Sequence, residues 1–132
     1  MVTRFSRPVL CLLLMFSLVS CAGGPKRYGR AKFPQTGVAS WYGKNLHGRS
    51  TASGEPFNMY AMTAAHPFLP FGSRVKVTNV SNGRSVNVRI NDRGPNDGKK
   101  RIIDVSYQAA QKLGFVREGL ATVRVDLERI PR

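Results

Sequence analysis

Apolar and polar residues alternate along three stretches of the chain, with the period of two that is typical of half-buried β-strands. These stretches are residues 74–79, 85–91 and 120–130. Asn82-Gly83 lies between the first two, and this pair strongly favours the tight turn of a β-hairpin. The pattern therefore predicts one antiparallel pair and a further long strand.

Shorter elements complete the predicted fold. We predict strands at residues 37–43, 61–65 and 102–105, and loops where Gly, Ser and Asn cluster, as at residues 45–55. Ser106 is a good N-cap for a helix over residues 107–113, and Gly114 is a natural residue to end it. Many short strands with one or two short helices predict a mainly β fold, a small β-barrel.

The first 21 residues predict a bacterial lipoprotein signal peptide. Arg4 and Arg7 precede a short apolar run, which ends in Leu18-Val19-Ser20-Cys21. This ending is similar to a lipobox, whose Cys is acylated and becomes the new N-terminus; an ordinary signal peptide with a chance Cys is the alternative. With Ala after Cys21, we expect a lipid anchor on the periplasmic face of the outer membrane. We predict that residues 22–35 form a flexible tether and that residues 36–130 form the barrel domain.

The chain is strongly basic, with 21 Lys and Arg against 7 Asp and Glu and a net charge of +14. A polyanionic partner is expected, and an anionic wall polymer or a membrane surface fits as well as nucleic acid. Nucleic acid conflicts with an anchor outside the cytoplasm, so we predict no nucleic-acid binding. Cleavage before Cys21 would leave no thiol in the domain, which excludes disulfides, thiolate zinc sites and Cys nucleophiles.

Asp92 is the leading candidate for chemistry, because it ends the strand at residues 85–91 just before Gly94-Pro95. The alternative is a structural Asp that accepts loop N–H groups and pairs with Arg93. His66 precedes a proline, which fixes its backbone, and a His in such a place is more often structural than catalytic.

Several other side chains are candidates for gripping a sugar. Trp41 and Tyr42 point to opposite faces of their strand, so one is expected in the core and the other beside a groove. Polar groups that suit sugar hydroxyls are supplied by Arg49, Thr51, Asn91 and Arg93.

Short motifs in one order resemble the rare lipoprotein A (RlpA) family over residues 36–128. They include G-V-A-S-W-Y-G from residue 37, G-E at 54–55, T-A-A-H at 63–66, N-D-R-G-P at 91–95 and R-I-I-D-V-S at 101–106. The resemblance implies a double-psi β-barrel related to expansins and barwin-like proteins. It also implies a lytic transglycosylase that cleaves peptidoglycan strands, preferably stripped of stem peptides. Glu55, His66 and Asp92 would be its functional residues.

The resemblance implies partners in the cell wall, and this sequence differs from the family pattern in two respects. Peptidoglycan is the expected partner, together with divisome or other cell-wall proteins. Many members carry a C-terminal SPOR domain, whereas this sequence ends at Arg132, so we expect septal targeting from the barrel, the tether or a partner. Asn58 stands where an acidic residue is common.

A lytic transglycosylase needs one well-placed acid, whose pKa must be raised so that it is protonated near neutral pH. We expect Asp92 in this role, with Glu55 as a neighbouring charge and His66 orienting the pair. If the Arg93 guanidinium points into the site, Glu55 becomes the better acid. Asp104 is expected to make a structural hydrogen bond. No cofactor or metal is predicted, since these residues match no standard ligand spacing. A non-catalytic, expansin-like wall binder is the alternative function.

Overall fold

The computed structural model describes residues 24–29, 31–97 and 101–132. Two short strands come first, β1 (Lys26–Tyr28) and β2 (Ala31–Phe33), and they pair as an antiparallel hairpin. The remaining elements, in chain order, are β3 (Gln35–Tyr42), β4 (Thr63–Ala65), β5 (Arg74–Asn79), β6 (Ser85–Asp92), β7 (Arg101–Ser106), α1 (Tyr107–Leu113) and β8 (Leu120–Arg129).

Six of these strands close into a barrel in the order β3-β7-β4-β6-β5-β8. The β3–β7 and β4–β6 pairs are parallel, and the other four pairs are antiparallel. Closure pairs every strand on both sides, so these strands leave no open sheet edge. The mainly β barrel with a short helix, predicted from the sequence, is confirmed.

The barrel interior is filled by the apolar half of each alternating pattern. The inward residues are fully buried, and they include Val75, Val77, Val88, Ile90, Ile103, Val105, Val123 and Val125. Burial of such side chains is the main force that holds a small domain together, at roughly 1.5–3 kcal/mol for each one. Polar residues between them face outward, and this outer surface carries the candidate site.

The helix α1 has the two ends that the sequence predicts. The Ser106 hydroxyl accepts a hydrogen bond from the Ala109 N–H at 3.2 Å. Gly114 ends the helix with a φ of 77°, a left-handed conformation that favours glycine. Ala109, Ala110 and Leu113 are buried against the barrel, so the amphipathic face of the helix closes one side of the core.

The N-terminal segment corrects one predicted boundary. Residues 22–35 were expected to form a tether without core contacts, yet residues 26–33 form the β1–β2 hairpin and β3 begins at Gln35. Phe33 is only 2% exposed and belongs to the core cluster, with Tyr28 and Ala31 packed against it. The predicted tether therefore donates an aromatic ring to the core.

The predicted signal peptide and Cys21 lie outside the described residues. Within the described ranges, no helix combines the length and the apolar character needed to cross a membrane.

Candidate active site

Asp92 is fixed at the end of β6 by the backbone around it. Its Oδ1 accepts hydrogen bonds from the Ala52 N–H at 2.9 Å and from its neighbour Arg93 N–H at 2.8 Å. The loop that contains Ala52 also donates from the Ser53 N–H to the Asn91 carbonyl at 3.3 Å. Because both bonds use Oδ1, the carboxyl has one orientation, and Oδ2 accepts no hydrogen bond from the described residues.

Strand register brings a second carboxylate onto the same face. Ser40 pairs with Asp104, Asp104 pairs with Ala65, and Ala65 pairs with Asp92, across four adjacent strands. Directly paired residues present their side chains to the same face of a sheet. Asp104 and Asp92 therefore lie in one row on the outer face of the barrel.

Asp104 is held by hydrogen bonds within this row. Its Oδ1 accepts from the Ser40 hydroxyl and, at 3.2 Å, from the Arg101 guanidinium. The same guanidinium donates to Ser40 Oγ at 2.8 Å. The structural hydrogen bond expected for Asp104 is present. Its position in the same row as Asp92 could not be predicted from local patterns, because it depends on register between distant strands.

The Tyr42 hydroxyl is buried next to both carboxylates. Its ring stacks on Phe57 with centroids 4.4 Å apart, and its oxygen has no hydrogen-bond partner among the described residues. Burial raises the pKa of Tyr42, and the charges of Asp92 and Asp104 raise it further. The neutral phenol is thus a hydrogen-bond donor at neutral pH, placed where negative charge gathers.

Glu55 is an anchored anion rather than an acid. The Arg89 guanidinium donates to both carboxylate oxygens, at 2.9 and 3.2 Å, and Asn91 Nδ2 donates to Oε1 at 2.5 Å. The hydrogen bonds from Arg89 and Asn91 lower the pKa of Glu55, outweighing its partial burial. These three residues line an open cleft of about 290 Å³ with Thr63 and Asn58.

Replacing Glu55 by Gln should lower stability slightly at neutral pH. The pair is more than a third exposed, so we expect a loss below about 1 kcal/mol. The folded-state pKa is lowered, so this contribution is present above the unfolded value of 4.5 and is lost as the pH falls through the folded pKa. Urea unfolding at several pH values measures this contribution to stability. The control is Glu118→Gln, at an exposed carboxylate without an ion pair among the described residues, and it should change stability at neutral pH by less than about 0.5 kcal/mol.

His66 does not bond to the carboxylates, which corrects its expected role in orienting them. It is fully buried, and its Nδ1 accepts hydrogen bonds from the Leu69 and Phe68 N–H groups at 3.2 and 3.3 Å. Nε2 therefore carries the proton and donates to Gln35 Oε1 at 3.4 Å. The imidazole braces the turn that follows β4, and only its backbone N–H reaches Asp92, at the carbonyl oxygen.

The His66 imidazole should titrate far below the usual range for histidine. Burial, and then the nearby Arg93 charge, lower its pKa from 6.5 to about 4. Between these two pH values the unfolded chain binds a proton that the folded chain does not. Stability should therefore fall as the pH is lowered from 6.5 towards 4, by at most about 1.4 kcal/mol per pH unit.

An NMR titration of the two histidine rings measures this directly, with His47 as the internal reference. We expect the His66 signals to move near pH 4. A midpoint above 6.5 would mean that the ring faces a carboxylate, and it would contradict the described hydrogen bonds.

Arg93 points away from the Asp92 carboxyl. Its guanidinium donates to the Leu69 carbonyl at 2.8 Å and lies over the Phe71 ring, 4.0 Å from the centroid. Among the described residues, no ion pair joins Arg93 to Asp92. The condition that would have favoured Glu55 as the acid is therefore absent.

The remaining predicted sugar contacts divide into accessible and inaccessible groups. Thr51 is 7% exposed and its hydroxyl donates to the Glu55 carbonyl at 2.7 Å, which corrects its expected role as a sugar donor. Asn91 is more deeply buried, and its amide donates a hydrogen bond to the Glu55 carboxylate. Arg49 is exposed on the same loop.

Trp41 and Tyr42 are both half-buried and together line a groove of about 440 Å³. The Trp41 Nε1–H donates to the Val116 carbonyl at 3.2 Å, and the ring packs against Tyr107. Within the described residues, no group of three or more His, Cys, Asp and Glu side chains is arranged to hold a metal ion.

The comparison that decides the family matches residues 34–125, almost the whole barrel and its site, to the lytic transglycolase family, a double-psi β-barrel domain. The chain belongs to this family. The double-psi barrel implied by the resemblance is thus confirmed.

Curated relatives named RlpA share the barrel region and extend well beyond it, which confirms the likeness to RlpA proteins. The chain is 60% identical over 96 residues to the endolytic peptidoglycan transglycosylase RlpA of Neisseria meningitidis, covering 73% of this chain and 40% of that protein. It is 57% identical to RlpA of Vibrio cholerae and 52% identical to RlpA of Pseudomonas aeruginosa, of which it spans 36% and 27%. The chain therefore spans less than half the length of these curated relatives.

Solved structures share the fold at lower identity. The Streptomyces papain inhibitor superposes with a TM-score of 0.58 at 25% identity, covering 72% of this chain and 94% of that one. An expansin from Clavibacter michiganensis superposes with a TM-score of 0.57 at 22% identity, covering 74% and 51%. At this identity the expansin likeness establishes the fold alone.

Proposed function

We propose that this protein is a lytic transglycosylase that cleaves peptidoglycan glycan strands, preferably strands stripped of stem peptides. The observation that carries the proposal is the Asp92 carboxyl, held through one oxygen at the open end of β6 with Asp104 in the same row. The names of the relatives support the substrate, since they are peptidoglycan transglycosylases.

The reaction needs one carboxyl group that first gives and then takes a proton. Protonated Asp92 donates to the glycosidic oxygen as the bond from this oxygen to C1 of N-acetylmuramic acid breaks. The C6 hydroxyl of the same sugar then bonds to C1 and gives its proton to Asp92. The products are a new sugar end and a 1,6-anhydro ring, no water is consumed, and the acid is restored.

The other carboxylates suit fixed negative charges. A hydrolase needs a second carboxylate that attacks the sugar or activates water. Glu55 and Asp104 each have an oxygen occupied by an arginine hydrogen bond, and for Glu55 this bond favours the ionised state. In this proposal Asp104, rather than Glu55, supplies the negative charge beside Asp92. Asp104 also stabilises the positive charge that develops on the sugar.

The remaining residues hold the site and the strand. Glu55 fastens the loop through Arg89 and Asn91, and the His66 ring fixes the turn behind Asp92. The Tyr42 phenol donates a hydrogen bond to one of the two carboxylates or to the sugar between them. We further propose that Trp41, Arg49 and Arg93 contact the glycan strand at the rim.

We propose that the protein works in the cell envelope, anchored by lipid on Cys21 to the periplasmic face of the outer membrane. The lipobox sequence and the peptidoglycan enzymes among the relatives support this location. Peptidoglycan strands and the membrane are its partners, and divisome or cell-wall proteins would direct it to the septum.

A non-catalytic wall-binding protein is the second candidate. The half-exposed aromatic groove at Trp41 and Tyr42 and the basic surface favour it, because both would grip an anionic glycan without any acid.

Digestion of purified peptidoglycan, both intact and stripped by an amidase, separates the two functions. The proposal expects soluble fragments that end in 1,6-anhydromuramic acid, most abundant from stripped strands. Retention of the protein on the strands without new ends would establish the wall-binding alternative instead.

A further inference from the structure

Three arginines stand side by side on the outer face of the barrel. Arg89 on β6 pairs with Arg74 on β5, and Arg74 pairs with Arg129 on β8. Adjacent strands lie about 4.8 Å apart, so this arginine row, Arg89-Arg74-Arg129, spans roughly 10 Å. A register shift at Glu128 brings Arg129 opposite Arg74, and paired residues share a face, so the three arginines lie on the same surface of the barrel.

Two of the three arginines in the row form no ion pair among the described residues. Arg89 is bound by Glu55, whereas Arg74 and Arg129 are exposed and form no ion pair among the described residues. Like charges directly opposite each other destabilise a sheet. Repulsion between Arg74 and Arg129 would therefore be relieved by an anion bound across the row.

The row begins at the candidate site. Arg89 lines the cleft with Glu55 and Asn91, and Asn91 directly precedes Asp92 on β6. Asp92 lies three residues from Arg89, roughly 10 Å along the strand. A polymer that reaches Asp92 can thus continue over the outer face onto Arg74 and Arg129.

We propose that the arginine row binds the lactyl carboxylates of glycan strands stripped of stem peptides. This inference rests on the proposed function. Stripping leaves one carboxylate on every second sugar of the strand, and a guanidinium pairs with a carboxylate through two parallel hydrogen bonds. In an intact strand the same carboxyl group is consumed in the amide bond to the stem peptide. The preference for stripped strands then arises from recognition of the free carboxylate charge, in addition to the removal of the bulky stem peptides.

The test measures binding, with Asp92→Asn added to every chain so that no strand is cut. One substrate is stripped glycan strands, and the other is the same strands with their carboxyl groups converted to neutral methylamides. The double variant Arg74→Gln/Arg129→Gln should bind the stripped strands about tenfold more weakly. It should bind the amidated strands as tightly as the parent does.

A control with the same net charge is Lys112→Gln/Arg117→Gln, which changes two exposed residues outside the row. It should keep the binding of the parent chain. The row variant should unfold at no lower urea concentration than the parent, because two mutually repelling charges are gone, so lost binding cannot be ascribed to misfolding.

Three results would overturn the proposal. The first is an equal loss of binding to stripped and to amidated strands, and the second is an equal loss of binding in the charge control. The third is a loss of binding seen only with vesicles of anionic phospholipid, which would make the row a membrane contact. Failure of the proposed function would give a different result. If the wild-type chain bound strands through their carboxylates but formed no new ends, the role of the row would stand and the enzymatic function would be contradicted.

Discussion

Replacing Asp92 by Asn will lower the rate of cleavage of stripped glycan strands by about 10²–10⁴-fold, the usual contribution of a positioned general acid. The amide oxygen of Asn can still accept the hydrogen bonds from the Ala52 and Arg93 N–H groups. The loop should therefore stay in place, and the binding of strands should persist. What the variant loses is the proton, since an amide cannot donate one to the glycosidic oxygen and take it back. Release of anhydro-ended fragments over time, read by mass spectrometry, measures the rate.

Asp126→Asn is the matched control, because it makes the same chemical change at a surface carboxylate that pairs with Arg124. It should cleave at the wild-type rate. An Asp92→Asn variant that retains most of the activity would remove Asp92 from the acid's role, and Asp104 would be the next carboxyl to test.

Replacing Phe33 by Ala will lower the free energy of unfolding by about 3–5 kcal/mol, the range for an aromatic ring removed from a core. Phe33 is 2% exposed and its ring lies 6.1 Å from that of His66. Its loss opens a cavity between the β1–β2 hairpin and the barrel, next to the turn that carries His66. A marginally stable small domain loses a large share of its stability in this way. Urea unfolding followed by Trp41 fluorescence measures the change.

Lys32→Ala, at the exposed neighbouring residue, should change stability by less than about 0.5 kcal/mol. If Phe33→Ala were equally harmless, the hairpin would be no more than the tether that the sequence predicts.

Local patterns were sufficient to find the elements of the barrel. The period of two identified β5, β6 and β8, because each has one face in the core and one in solvent. Asn82-Gly83 located the hairpin, and Ser106 and Gly114 located both ends of α1. These signals are read within a few residues, so they need no knowledge of the rest of the fold.

The hairpin and the environment of His66 could not be found in this way. β1 and β2 have three residues each, and their Lys and Arg side chains are typical of a solvated segment. Only the tertiary fold shows that Phe33 enters the core. Phe33 and Gln35 are two of the groups that enclose His66. Because the sequence predicts a tether at these residues, the burial that lowers the pKa of His66 could not be predicted either.

The arrangement of carboxylates depends on strand register. Sequence motifs named Glu55 and Asp92 together, yet the residue that shares a row with Asp92 is Asp104, brought there through β4 between β6 and β7. The arginine row arises in the same way, from three strands that are distant in sequence. Register across a closed barrel is set by all six strands at once, and no single segment encodes it.

We propose that the strand is cleaved by attack of its own C6 hydroxyl, with Asp92 acting first as the acid and then as the base. Digestion of stripped strands in water enriched in heavy oxygen tests this most directly, with the new sugar ends analysed by mass spectrometry. Attack by the C6 hydroxyl gives 1,6-anhydro ends that contain no heavy oxygen, and this is the result we expect. Reducing ends that carry heavy oxygen would show that water attacks, and they would make this protein a hydrolase.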